Sequence, residues 1–187
     1  MPSRLPTAAG LALGVLADLA LADPRRGHPV AGFGRAAAAL ERRTWRDSRP
    51  AGAVYALVCV GTATALGTAA HRATAGSPAA RTAVTALATW SVLGGTSLGR
   101  VATTMAAHLT ADDLPAARAA LPSLAGRDPS GLGEPELVRA TVESVAENTS
   151  DAAVAPLFWG AVAGLPGLLA YRAANTCLLY TSDAADE

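Results

Sequence analysis

The sequence predicts an all-α, polytopic integral membrane helical bundle, with about four spanning helices plus cytoplasmic amphipathic helices. Three observations carry this. Hydrophobic residues make up 51% of the 187 residues and charged residues only 16%, against about 25% charged in an average soluble domain. The apolar residues fall in long uncharged blocks instead of alternating stripes. A spanning helix needs about 20 such residues, because the hydrocarbon core is roughly 30 Å thick. The basic residues collect in the connections between blocks, as in membrane proteins oriented by their loop charges.

The same composition excludes other classes. High hydrophobicity with zero net charge excludes a disordered chain. The absence of a basic surplus excludes a free-standing nucleic-acid binder. Cys59 and Cys177 are the only cysteines, which excludes a disulfide scaffold. The chain has 46 alanines, and its 15 basic residues are all arginine. That bias suggests a GC-rich genome, so the alanine content by itself does not predict helix. A large soluble bundle with Ala-rich core helices is the competing reading, and the block lengths favour the membrane.

The first block runs from about Leu5 to Ala22 and contains one charge, Asp18. A secretory signal core does not carry a carboxylate, so this is read as a retained helix. A carboxylate inside a membrane helix is costly and marks a functional position. Asp23-Pro24 and His28-Pro29 follow, with Gly27 between them, and forbid regular helix there. Asp23 and His28 therefore sit on a constrained turn just past the first helix. Ala36 to Arg46 reads as a short basic amphipathic helix lying on the membrane surface.

The second block is Ala51–Ala70 and the third is Thr82–Gly99, neither with a charge. The Asp23–Pro50 segment holds seven arginines, which place it in the cytoplasm and the N-terminus outside. The 100–151 segment is then cytoplasmic too, so both polar segments meet one face. Within it, Asp112-Asp113 cap a short helix. A turn at Gly126-Arg127-Asp128-Pro129 comes next. Glu134-Pro135-Glu136 open a further helix, since proline and acids suit a helix start. Arg139, Glu143, Glu147 and Asp151 recur at i, i+4 and share one face of it.

Three acids in a row repel unless something offsets them. A magnesium ion does so, taking carboxylate oxygens while holding substrate phosphates. The alternative is a solvated acidic face. Asn148, Thr149 and Ser150 beside the acids match a glycosylation pattern, but the cytoplasmic placement argues against its use. The fourth block, Ala152–Tyr171, contains Pro156, Gly160, Gly164, Pro166 and Gly167, which suit close helix contact and kinks. Arg172 at its end is an interfacial anchor or, for a phosphate-bearing substrate, an anion clamp. There is no Walker A loop, dinucleotide fingerprint or zinc-ligand spacing.

These residues together resemble a known family. Asp18, Asp23-Pro24, His28-Pro29-Val30, Glu41 and Gly126-Arg127-Asp128 occur in order. They are followed by Val142-Glu143-Ser144-Val145-Ala146-Glu147-Asn148-Thr149-Ser150-Asp151, Ala155-Pro156-Leu157-Phe158-Trp159 and Tyr171-Arg172-Ala173-Ala174-Asn175-Thr176. The pattern is similar to adenosylcobinamide-phosphate synthase, the CobD/CbiB family of cobalamin biosynthesis, over residues from about 10 to 176. The resemblance implies a multi-pass ligase of the bacterial cell (inner) membrane with its active face in the cytoplasm. It would join aminopropanol, or its phosphate, to a propionate carboxyl of adenosylcobyric acid, with ATP and Mg²⁺ as cofactors and the corrinoid as substrate. Glu143, Glu147 and Asp151 become the expected catalytic residues and metal ligands, with Asp18 a further ligand. Asp23, His28, Asn148, Arg172 and Asn175 become expected substrate contacts. A homo-oligomer, or a complex with other enzymes of the pathway, fits the same resemblance.

Residues 177–187 depart from the family pattern, which continues with Asp and a Met-x-Gly-Tyr stretch. The chain is thus expected to be a partial ligase domain over 1–176, C-terminally truncated, with a non-family tail. Two rival readings stand beside this one: a membrane lipid-headgroup transferase, and a non-catalytic membrane binding protein. The first needs repeated acidic motifs that Asp112-Asp113 with Arg118 only echo.

Overall fold

The computed structural model describes residues 4–22, 28–126 and 128–182, with side chains as far as Cys177. Every regular element among them is helical. The helices are α1 (Leu5–Leu21), α2 (Pro29–Thr44), α3 (Arg49–Ala73), α4 (Pro78–Val92), α5 (Gly95–Thr110), α6 (Leu114–Ala120), α7 (Glu134–Thr149) and α8 (Ala155–Ser182). A 3₁₀ turn, Leu121–Ser123, follows α6, and a π-helical turn, Ser150–Val154, joins α7 to α8. Helix starts follow local chemistry. Proline stands in the first turn of α1, α2, α3, α4, α6 and α7, where its missing N–H costs nothing. Ser77 and Asp113 cap α4 and α6 by accepting from Ala80 N at 3.2 Å and Ala116 N at 3.1 Å.

Two layers result. In the first, α1 packs along α4, and α3 packs along α8. α1 and α4 run parallel, with Gly10 against Thr85 and Gly14 against Thr89. A Cβ on Gly10 would lie 2.5 Å from Thr85 Cβ, so the glycine pair sets the helix spacing in the manner of membrane small-residue contacts. The second layer is α5, α6 and α7 around Met105, Ala117, Leu121, Leu137 and Ala140.

Two of the four expected spans are not single straight helices. The Thr82–Gly99 block breaks, because α4 ends at Val92, Leu93 is extended and α5 begins at Gly95. The 15 residues of α4 reach about 22 Å at 1.5 Å per residue. The Ala152–Tyr171 block reverses. Gly164 has φ 65° and ψ −153°, a conformation open essentially to glycine, and Pro166 then prevents helical continuity across the bend. A Cβ on Gly167 would meet the Trp159 carbonyl oxygen at 2.6 Å, whereas residues eight apart in one helix are separated by about 12 Å. α8 is therefore a helical hairpin. Its first limb passes α1, where Gly160 faces Leu11, and its bend meets α3 at Gly67.

Among the described residues, two helical runs are long and apolar enough to cross a membrane, α3 and the continuous stretch Glu134–Cys177 that contains the hairpin. α1 is a shorter apolar helix. Four straight spans are thus replaced by α3, the shorter α1 and α4, and the α8 hairpin.

α1 is inverted relative to a water-soluble helix. It buries Asp18 with Gly10, Leu11 and Gly14, while Leu13, Leu16 and Leu19 are exposed. Gly14→Leu should force α1 off α4 and lower stability by about 1–3 kcal/mol, the usual cost of overpacking. Thermal unfolding of the purified chain in detergent, compared with an exposed control such as Leu16→Ala, measures it.

Candidate functional site

The site is built where three interruptions of regular helix meet: the end of α1, the α4–α5 break and the π-helical turn. At the first, the Ala22 N–H donates to the Asp18 carbonyl at 2.8 Å, and Trp90 Nε1 of α4 donates to the Ala22 carbonyl at 3.0 Å. Between the other two, the Gly94 N–H donates to the Ala152 carbonyl at 3.2 Å. Backbone groups freed by the breaks are therefore satisfied across the junction, as a water-poor interior requires.

Asp18 is 4% exposed. Its Oδ2 accepts from both the N–H and the hydroxyl of Thr96, each at 3.0 Å. The carboxylate thus caps α5, where the helix dipole favours negative charge. Its Oδ1 is buried without a hydrogen-bond partner among the described residues. A cleft of about 810 Å³ opens beside it, with Thr96, Arg100 and Thr103 along one wall and Val15 and Leu157 on others.

Asp151 lies in the π-helical turn, an irregularity that often marks functional positions. Its Oδ1 accepts from the Tyr171 hydroxyl at 3.3 Å and its Oδ2 from Asn175 Nδ2 at 3.0 Å. The α8 hairpin makes these contacts, since it returns residues 171–175 to the start of the helix. Asn175 is buried and spends its amide on Asp151. Arg172 is half-buried beside Tyr171.

The remaining expected residues divide clearly. Glu143 is exposed and pairs with Arg139, whose Nε stands 2.7 Å from Oε1. Glu147 is exposed one turn on, and its carboxylate makes no hydrogen bond or ion pair among the described residues. Asn148 faces the second layer: its Nδ2 donates to the Ser144 carbonyl at 2.8 Å, and Ser144 donates to the Leu124 carbonyl. His28 caps α2, its Nδ1 accepting from Val30 N at 3.2 Å. Asp23 lies outside the described residues, as do residues 24–27 and Arg127. Asp128 accepts from the Ser130 N–H and hydroxyl, both at 2.9 Å. These bonds, the backbone one first, hold its carboxyl below the usual carboxylate range.

Among the described residues, no three of the His, Cys, Asp and Glu side chains converge on a shared metal position. The structure therefore does not bring Glu143, Glu147 and Asp151 into one ligand set. Two of the three are already engaged, and Glu147 is the acid left open.

Sequence reasoning did not find Thr96 as the partner of Asp18 or Tyr171 as the partner of Asp151. Gly94-Gly95 within an apolar block was the available signal for the first. The second required the hairpin, whose signal was Gly164-Leu165-Pro166-Gly167.

No solved structure matches this chain. Its similarity lies among sequences. The Cobalamin biosynthesis protein CobD of Mycobacterium tuberculosis is 54% identical over 170 residues, covering 90% of this chain and 53% of the relative. Proteins of the same name from Rhodobacter capsulatus and Geobacter metallireducens are 41% and 42% identical. They cover 89% and 87% of this chain and 54% and 52% of their own lengths. The chain thus spans about half the length of the curated relatives it matches. The family model described as CobD/Cbib protein matches residues 11–178, which takes in the buried Asp18, the α7 acids and both limbs of the hairpin, and the chain belongs to that family.

Proposed function

We propose that this chain takes part in cobalamin biosynthesis as part of an integral membrane ligase of the bacterial inner membrane. The reaction joins an aminopropanol unit, or its phosphate, to a propionate carboxyl of adenosylcobyric acid. The family match over residues 11–178 carries this reading. The inverted polarity of α1 supports the membrane part, because exposed leucines over a buried carboxylate suit lipid and not water.

Amide formation from a carboxylate requires activation. In the proposed reaction a propionate oxygen attacks the terminal phosphorus of ATP and ADP leaves. The amine nitrogen then attacks the acyl carbon, the carbon–oxygen bond to phosphate breaks, and the nitrogen loses a proton. Magnesium, when bound, neutralises charge on the transferring phosphoryl group. Magnesium commonly binds through one or two carboxylates together with substrate phosphates, and Glu147 would provide one. Arg172 is assigned to a substrate phosphate. His28, through the ring nitrogen not used in capping α2, and Asp23 are assigned to the substrate.

Asp151 and Asn175 act as a pair in this reading. Asn175 fixes the carboxylate, so its role is to position Asp151. Asn148 positions the start of the π-helical turn by holding α7 against Leu124.

Glu147→Gln, placed in a complete homologue at the same Glu-Asn-Thr-Ser-Asp motif, should lower amide formation by roughly two orders of magnitude. Membrane insertion, followed by carbonate extraction, should be unchanged. Near-normal ligation would remove Glu147 from the mechanism. Asp18→Ala should cost about 1–2 kcal/mol through loss of the α5 cap, and Asp18→Asn should recover much of that in thermal unfolding. A ligation defect persisting in the stable Asn variant would show that the Asp18 charge, and not only the cap, is needed.

A further inference from the structure

We infer that the corner between α2 and α3 holds an anionic phospholipid, its phosphate between Arg43 and Arg46 and its acyl chain along α3. The inference rests on the membrane reading above. A cleft of about 490 Å³ lies at this corner. Arg43, Arg46 and Ser48 line its polar end, and Leu40, Val54 and Val58 its apolar side. Val54 and Val58 are one turn apart on α3, with exposures of 60% and 47%. The cleft therefore has the two ends of an amphiphile, cationic at one and aliphatic at the other.

Charge and position select a lipid. Arg42, Arg43, Arg46 and Arg49 are all exposed, against a single acid, Asp47, in the same stretch. Neither the Arg43 nor the Arg46 guanidinium makes a hydrogen bond or ion pair among the described residues. Paired guanidiniums suit a phosphodiester, which accepts two parallel N–H bonds. The corner also opens α3, a helix long and apolar enough to cross a bilayer, which sets it at headgroup level. Trp45, 68% exposed between the two arginines, belongs at that level for the same reason. A free phosphate would gain nothing from Val54 and Val58, whereas a lipid buries methylenes against them. Juxtamembrane arginine clusters attract anionic leaflets, and this cleft would turn a diffuse attraction into a seated molecule.

The test uses the 187-residue chain. Carbonate extraction after expression first reports whether it inserts. Native mass spectrometry from detergent micelles then measures binding of phosphatidylglycerol against phosphatidylcholine. Phosphatidylglycerol should be retained preferentially, and Arg43→Gln/Arg46→Gln should weaken it roughly tenfold or more. The corresponding Lys variant should recover only part of the binding, because an ammonium keeps the charge and loses the paired N–H bonds, and Arg72→Gln, at the far end of α3, should keep all of it. Equal binding of the two lipids, an unchanged Gln variant or an equal loss in Arg72→Gln would overturn the site. So would competition by glycerol 3-phosphate at the lipid's own concentration, because the headgroup alone would then be the ligand. A chain that does not insert overturns the membrane reading and this inference together. An inserted chain without lipid preference overturns this inference alone.

Discussion

The reversal at Gly164 is the constraint on which the rest depends. Residues 151 and 175 are 24 positions apart and would be about 36 Å apart in one helix. The left-handed backbone at Gly164, followed by Pro166, instead places Asn175 in hydrogen-bond contact with Asp151. It also turns the apolar side of the second limb toward α3, where Gly67 makes room for the Leu165 carbonyl. A side chain at Gly164 would have to adopt a backbone region that L-residues rarely enter. The bend is therefore a requirement of both the packing and the site.

The second organising feature is how the bundle treats its broken backbone. A helix that stops inside an apolar assembly leaves donors and acceptors without partners, each costing several kcal/mol in lipid, on the order of 2–7 kcal/mol by transfer data. Here the breaks are gathered. Gly94 at the α4–α5 break bonds Ala152 in the π-helical turn, and Ala22 at the end of α1 bonds Trp90. Asp18 supplies the acceptor that the first turn of α5 needs. One buried carboxylate thus lets an apolar segment change direction at the point where the second layer begins. That economy explains why a charge is kept on a helix whose outer face is leucine.

The sequence made some of this legible and hid the rest for physical reasons. Block composition and the proline-led starts were readable, because both are local. Asp18 stood out as a costly charge, but Thr96 lies 78 residues away, and no local pattern links them. Hydropathy averaged over 18–20 residues treats Gly94-Gly95 and Gly164-Pro166 as ordinary parts of apolar blocks, so the breaks were masked by their neighbours. The i, i+4 register placed Glu143, Glu147 and Asp151 on one face, and this holds only while the helix stays α. The π-helical turn at Ser150–Val154 changes the register at the third acid, and nothing in its composition announces it.

That change of register has an electrostatic result. Glu143 is offset by Arg139, whereas among the described residues Asp151 accepts from neutral donors, a phenol and an amide. Hydrogen bonds of that kind orient a carboxylate without cancelling its charge. Glu147 adds a second acid whose side chain pairs with no cation among the described residues. In the proposed reaction, a phosphate reaching these two acids would meet negative charge. Its binding is favourable when it brings a cation or when the acids gain one with it. The proposed reaction therefore calls for a phosphate that arrives paired with a divalent ion in place of a bare anion. This is the charge balance that phosphoryl chemistry at an acidic site requires.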